Sequence, residues 1–493
     1  MIQTSRIKHY WTQHDRTLLA MVLCMVSFAL AGCRQHYPGI EYDGLEDDIG
    51  VDYKEGKVPV YVAVNDPLFE HYTTRGVGAF DDLKDGDTTD QKWWEADFRV
   101  YAFLRRSFNG YSGDLDYTEK MNPNDDNCLC LIDDNGTDDS QGHGRKANLH
   151  RDEEHTAFLN WKDGDEIFYN NTYQYYAYRF FAYYLDDAYD FSKAPTVRSK
   201  DRISYDFTID GTQDLMCGYA SLTNAQIAEA ETFKSGEKDN EFFADNIKDL
   251  AFSKATGNRS IHPIFDMQHK LSYLKFKLKA GSVKNTDGET TVDPEVANVR
   301  IRNISISVPT KGTMTVAADD TSKVGVTFDE SSSKVLYMPI KVKTDESGEI
   351  ILDSEGKSIQ MQRHETGGKV VPGDSEGFRP TIQPEVDSKE IGMGFLVPPA
   401  EEYALTLHCF QYKVNADGTD QIDPDTGEQK VINYKVNYRL KLNTGKPFRE
   451  GYKYEVTIHV FGHQKIQLYL DEVTWGVGED IPLDDEDDGE WEY

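Results

Sequence analysis

The stretch VINYKVNYRLKL, residues 431–442, alternates without a break. Ile432, Tyr434, Val436, Tyr438, Leu440 and Leu442 fall on one side; Asn433, Lys435, Asn437, Arg439 and Lys441 fall on the other. A period of two marks a half-buried antiparallel strand, because successive side chains of an extended chain point to opposite faces. The pattern recurs. HKLSYLKFKLKAG sets Leu274, Phe276 and Leu278 against Lys275, Lys277 and Lys279, and Gly281 ends it. RNISISV repeats it with Ile304, Ile306 and Val308, and KVGVTF, VLYMPIKV, YALTLHCF, GYKYEVTIHV and KIQLYLDEVTW read as further strands. Nearer the start, KVPVYVAV aligns Val58, Val60, Val62 and Val64 on one face, with Pro59 favouring an edge or a strand start. FRVYAFL alternates, and ISYDFTIDGTQDLMCGYA reads as a strand, a turn and another element. YQYYAYRFFAYYLD carries aromatics on both faces, as a central strand packed on both sides would. After residue 32, only NAQIAEAETF and NEFFADNIKDLAFSKA have helical spacing, with Phe243, Ile247, Leu250 and Ala251 on one stripe.

Many short strands separated by Gly, Asp and Asn turns predict an all-β protein with minor helices, built as two β-sandwich domains. Helical patterns between strands are too few for a parallel βαβ sheet. The expected divisions are 57–258 for the first sandwich and 259–483 for the second. Residues 33–56 form a tether, and residues 484–493 form an acidic, self-repelling tail expected to be loose.

Residues 1–32 read as an export leader. Arg6, Lys8 and Arg16 precede the apolar run TLLAMVLCMVSFALAG, which is shorter than the roughly 20 residues of a spanning helix. Cys33 follows Leu30-Ala31-Gly32 directly. That arrangement resembles the bacterial lipoprotein box, which implies a diacylglycerol on the Cys33 thiol and cleavage before it. Lipid chains would hold the chain at a membrane by burying methylenes, about 0.8 kcal/mol each. The formal charge is −33, and removing the leader makes it −35. Such a balance argues against nucleic acid, whose phosphates need a basic surface. Cys128, Cys130, Cys217 and Cys409 are too sparse for a disulfide framework.

The search for chemistry yields little. Neither nucleotide fingerprint, GxGxxG or GxxxxGK[ST], occurs, and no cofactor is expected. HRDEEH places His150 and His155 five apart, not the four a zinc helix needs. Two acidic glycine turns offer oxygens to calcium: Asp423, Asp425 and Glu428 in DPDTGE, and Asp133, Asp134, Asn135 and Asp138 in LIDDNGTDD. Neither matches a full calcium loop. His269, beside an alternating strand, reads as a structural hydrogen bonder. Tyr173, Tyr175, Tyr176, Tyr178, Tyr183 and Tyr184 read as core, with a sugar-stacking platform as the competing reading; Trp93 and Trp94 are uncommitted.

Taken in order, the lipobox, TTRGVGAF, FRVYAF, YYAYRFFAYYLDD, IDGTQDLM, FDMQHKLSYLKFKL and the closing GYKYEVTIHVFG…IQLYLDEVTWGVG resemble the fimbrillin family of Bacteroidetes over most of residues 57–480. The resemblance implies two tandem transthyretin-like, Greek-key sandwiches without a catalytic site, lipid-anchored at the outer-membrane surface. It also implies a mechanism for polymerising members. An arginine-specific protease cuts a loop, the first strand leaves, and a strand of a neighbouring subunit fills the vacated groove. Carried onto this chain, the releasable strand is residues 57–64 and the cut follows Arg75. The expected partners are a membrane, other fimbrillin-like subunits, and a host or bacterial surface ligand. Two other readings share the export route: a carbohydrate-binding surface lipoprotein, which needs an exposed aromatic platform, and a hydrolase, which needs two facing carboxylates.

Overall fold

The computed structural model describes residues 58–64, 98–104, 142–151, 157–161, 167–169, 177–474 and 490–492. Within the long stretch, positions 187, 235–237, 285–289, 293, 355, 362–364, 366, 375–386, 443 and 463–464 are not described. Cys33, Arg75, Trp93, Trp94, Cys128, Cys130, the 131–139 turn, His155, Tyr173, Tyr175 and Tyr176 therefore lie outside the described residues.

The chain is mostly β-sheet with a few short helices. Its first strands are β1 (Val62–Val64), β2 (Phe98–Leu104), β3 (Arg145–Arg151), β4 (Ala157–Trp161) and β5 (Tyr178–Tyr184). They are followed by β6 (Val197–Arg198), β7 (Arg202–Thr208) and β8 (Met216–Tyr219). Four helices come next: α1 (Asn224–Thr232), α2 (Lys238–Asp245), α3 (Ile247–Leu250) and α4 (Lys254–Gly257). Strands β9 (Ile264–Phe265) and β10 (Gln268–His269) then complete an eight-stranded sheet in the order β10-β8-β5-β2-β3-β4-β1-β9. Strand β5 is central, as its two aromatic faces require. Phe180, Ala182 and Tyr184 enter a core shared with the helices; Phe181 and Tyr183 enter a second core on the opposite face. Phe243, Ile247, Leu250 and Ala251 are all buried, but their stripe is divided between α2, α3 and the residue after it. Thr223 and Ser253 each make a reciprocal capping box, which starts α1 and α4 as separate helices.

The remaining strands are β11 (Ser272–Ala280), β12 (Ser282–Lys284), β13 (Thr290–Val292), β14 (Val299–Pro309), β15 (Lys311–Ala318) and β16 (Gly325–Phe328). After them come β17 (Ser333–Val342), β18 (Lys369–Gly373), β19 (Lys389–Val397) and β20 (Tyr403–Tyr412). The last four are β21 (Val431–Leu440), β22 (Tyr452–Gly462), β23 (Lys465–Thr474) and β24 (Glu490–Glu492). A four-stranded sheet, β19-β11-β22-β23, shares one core with a six-stranded sheet, β18-β17-β14-β20-β21-β24. Leu274, Phe276 and Leu278 point into it from β11; Tyr434, Val436, Tyr438 and Leu440 meet them from β21. Every strand read from alternation in this region is present. Among the described residues, two pairings are parallel, β1 with β9 and β11 with β22.

Three arrangements depart from the expected pattern. The hairpin β15–β16 pairs with β7, over 100 residues earlier in the chain, in a sheet ordered β16-β15-β7-β6. Met314 and Val316 of β15 close the core above Tyr183 and Tyr205. Glu490–Glu492 of the acidic tail pairs antiparallel with the edge of β21. Backbone pairing needs no apolar side chain, so acidity does not forbid it.

The third arrangement is a pair of matching arms, one after β17 and one after β20. In each, three backbone segments meet in a ring of hydrogen bonds. Lys343 N donates to Ile359 O, Ile359 N to Ile351 O, and Ile351 N to Lys343 O. Lys413 N donates to Lys430 O, Lys430 N to Gln421 O, and Gln421 N to Lys413 O. Two short hairpins branch from each ring. Gly348, Gly356, Gly418 and Gly427 sit at their tips with φ between 75° and 83°, where glycine is the residue of choice.

Candidate functional site: the seat of the first strand

The valines of KVPVYVAV build the site. Val58, Val60, Val62 and Val64 are each at most 3% exposed, so one complete face of the segment lies in the core. Both of its edges are paired. Val62, Ala63 and Val64 run antiparallel to Leu159, Phe158 and Ala157 of β4, and Ala63 and Val64 run parallel to Ile264 and Phe265 of β9. Ahead of β1, Val60 N donates to Ile167 O at 2.7 Å and Tyr169 N donates to Val58 O at 2.9 Å. Ala63 N donates to Pro263 O at 2.9 Å, and the Trp161 Nε1–H reaches Val60 O at 3.1 Å. Pro59 lacks an N–H and costs nothing here, because its neighbours carry the pairing.

The floor is set by the helices. Ser253 and Thr256 cap α4 reciprocally, and α4 ends at Gly257, directly against the strand. A Cβ on Gly257 would stand 2.8 Å from Val58 Cγ1 and 3.0 Å from Tyr169 Cε2, closer than side chains pack. Tyr169, Phe180, Phe252 and Ile261 belong to the same core. On the strand's other face, Tyr61 meets the His262 ring edge-on at 5.3 Å between centroids. Burial pulls the His262 pKa down to about 4, so this ring is neutral at physiological pH. The described side chains beneath the four valines are apolar or aromatic. It is an apolar trough with backbone partners on both sides, the two elements that strand addition uses.

Other residues singled out from sequence are placed as follows. His269 Nδ1 lies 3.0 Å from Asp214 Oδ1, with both side chains fully buried, the geometry of a structural hydrogen bonder. Tyr178, Tyr183 and Tyr184 are core residues, which removes them from any sugar-stacking surface. Tyr205 OH joins Tyr101 OH at 2.9 Å, Tyr183 OH at 2.8 Å and His143 Nδ1 at 2.9 Å in a closed polar knot across the second core. Burial raises the pKa of all three tyrosines, so the phenols stay protonated. Cys217 and Cys409 are buried free thiols whose pKa values burial raises. Asp423, Asp425 and Glu428 lie on the exposed tip of the second arm, where Asp423 Oδ1 accepts from Asp425 N at 2.9 Å. Among the described residues, no group of three or more His, Cys, Asp or Glu is placed to hold a metal ion.

Gly257, Trp161 and the 167–169 segment were not singled out from sequence. For Gly257 the one signal in the sequence is a residue without a Cβ after the helical pattern that precedes it.

No family model matches the chain, and no curated protein does. Solved structures do. A protein assigned to cell adhesion from Bacteroides uniformis is 14% identical with a TM-score of 0.36, covering 86% of this chain and 99% of its own. The fimbrial anchor protein of Porphyromonas gingivalis is 10% identical with a TM-score of 0.25, covering 86% and 99%. A fimbrillin of the same organism is 9% identical with a TM-score of 0.30, covering 86% and 100%. This chain is thus similar, along most of its length, to solved cell-adhesion and fimbrial proteins of Bacteroides and Porphyromonas.

Proposed function

We propose that this is a non-enzymatic cell-surface lipoprotein of the fimbrillin type, a structural or adhesive pilus component assembled by strand exchange. Its first strand is the exchangeable one. The observation that carries the reading is the seating of residues 58–64: four buried valines on one face and backbone partners on both edges. A segment held in this way can be replaced by another of the same pattern, because strand addition reads backbone and alternation rather than a unique side-chain set. Arg75 follows the segment by eleven residues and is the proposed cut. Cys33 is the proposed lipid anchor, residues 33–56 the tether to the outer membrane, and residues 57–258 and 259–483 the two transthyretin-like units.

Two variants test the reading. Treating the purified precursor with an arginine-specific protease should free the N-terminal segment and yield oligomers that resist mild detergent; Arg75→Ala should remain monomeric with the segment in place. Oligomers of equal size from Arg75→Ala would refute the assigned cut, and a freed segment without oligomers would refute strand exchange. Cys33→Ser should abolish incorporation of labelled fatty acid and release the protein from the membrane fraction. Unchanged labelling would refute the anchor.

A further inference from the structure

Strand β5 changes partner along one edge, and a cleft lies at the change. Phe181 is opposite Tyr219 of β8, and Ala220 N donates to Phe180 O at 3.0 Å. At the start of β5 the edge belongs to another segment: Tyr178 N donates to Phe252 O at 2.8 Å, and Phe252 N to Tyr178 O at 3.2 Å. Helices α1, α2 and α3 fall between these two contacts in sequence. The cleft where they leave and rejoin the sheet has a volume of about 330 Å³. That is the lower end of the range for small-molecule clefts, about 300–1,000 Å³. Tyr178, Phe180 and Phe252, each at most 2% exposed, form its deepest part. Leu222 and Ile227 add apolar wall from the start of α1.

Charge sets this cleft apart. The chain carries 86 acidic and 53 basic residues. Among the described residues, one larger cleft is lined by Glu330, Glu401, Glu402 and Glu450, and another by Asp190, Asp206 and Asp329. The β5 cleft is lined by Arg179 and Lys248 and by no Asp or Glu. Arg179 is half-buried, and its Nη1 donates to the backbone carbonyl of Asp319 at 2.8 Å. Among the described residues no carboxylate reaches it. A guanidinium presents several N–H donors in a planar fork, so one carbonyl orients the group and leaves most donors for a ligand. Lys248 of α3 is exposed at the same cleft, and Tyr219, Ser221 and Thr321 add hydroxyl groups.

We propose that this cleft binds a small organic carboxylate, with its oxygens on Arg179 and Lys248 and its apolar face against Phe180, Phe252 and Ile227. The two coplanar oxygens of a carboxylate match a single guanidinium fork. A phosphate is the poorer fit, because no glycine-rich backbone cradle lines the cleft. The apolar floor gives nothing to a bare inorganic ion and favours a carboxylate carried on a sugar or hydrocarbon ring. Two sources share that chemistry: an acidic sugar at the end of a surface glycan, and a free aryl or alkyl acid. The inference is independent of strand exchange, since it rests on the cleft of the intact chain and its charge.

The test uses the leaderless, uncleaved full chain, so a failure of strand exchange leaves its result untouched. Ligand-observed NMR titrations compare N-acetylneuraminate, glucuronate and phenylacetate with the uncharged N-acetylglucosamine and phenylacetamide. At least one carboxylate should bind with a Kd of about 1 mM or tighter, the range open to a ligand of this size. The one that binds best identifies the source, sugar acid or free acid. Its uncharged counterpart should bind at least about tenfold more weakly, as loss of a charge-assisted hydrogen bond requires. Arg179→Gln should weaken binding about ten- to hundredfold, and Arg179→Lys, which keeps the charge without the fork, should weaken it less. Ser221→Trp, at an exposed position of the cleft, should block binding while thermal unfolding stays unchanged, and it carries the test if Arg179→Gln does not fold. The proposal is overturned if none of the three carboxylates shows saturable binding, or if the uncharged compounds bind as tightly. Unchanged affinity in folded Arg179→Gln or in Ser221→Trp would equally overturn it.

Discussion

Val62→Ala is the most telling single change in the seat of β1. Val62 is 1% exposed and lies opposite Leu159 on β4. The substitution removes two buried methyl groups, about 0.8 kcal/mol each by transfer. The trough is fixed on both edges and relaxes little, so the residual cavity adds up to about 1 kcal/mol. The expected loss is about 2 kcal/mol. The neighbouring Ala63 is half-buried on the opposite face of the same strand, and Ala63→Ser should change stability by less than about 0.5 kcal/mol. Urea unfolding followed by tryptophan fluorescence reads both. With a slope of about 2 kcal/mol per molar, Val62→Ala should lower the midpoint by about 1 M and Ala63→Ser should barely move it. Equal shifts for the two variants would refute the claim that the alternation of KVPVYVAV is what seats the strand.

Two further outcomes follow from the same geometry. Gly257→Ala places a methyl group 2.8 Å from Val58 Cγ1, so it should destabilise by about 1–3 kcal/mol and speed hydrogen exchange in 58–64; unchanged exchange would mean that α4 does not form the floor. The His262 pKa is lowered by burial to about 4, so the unfolded chain takes up the proton first as pH falls. The stability contributed by the neutral ring is full above about pH 6.5 and is lost as pH falls toward 4. Wild-type stability should therefore drop more across that window than that of His262→Gln, by up to about 3 kcal/mol in urea titrations; parallel pH curves would contradict it.

The legible part of this fold was its alternation. The facing of Leu274, Phe276 and Leu278, of Tyr434, Val436 and Tyr438, and of the four valines follows from a local period, since each strand must bury one face. The double-sided aromatics of β5 announced a central strand for the same reason. Pairing partners were not legible. Nothing in KGTMTVAA says that β15 joins β7, because register between distant strands depends on where the connecting chain can reach. The helical stripe through Phe243 and Leu250 was legible as burial but not as two short helices, which part at Asn246, where the backbone leaves helical geometry at φ −115° and ψ 14°. The two arms could have been found from their recurrent Asp- or Asn-headed glycine turns, at 345–348, 353–356, 415–418 and 423–427. For the candidate site, the strand was visible in the sequence and its seat was not. Leu159, Gly257 and Phe265 come together only through the sheet order.

The central claim is that the seat of β1 accepts an exchanged strand. The direct measurement is binding of a synthetic KVPVYVAV peptide to the protein after arginine-specific cleavage, followed by amide exchange at 157–159 and 263–265. The account predicts that the body stays folded, that these amides lose protection when the native strand departs, and that the peptide restores it. Retention of the native segment after cleavage, or an open seat to which the peptide does not bind, would contradict it.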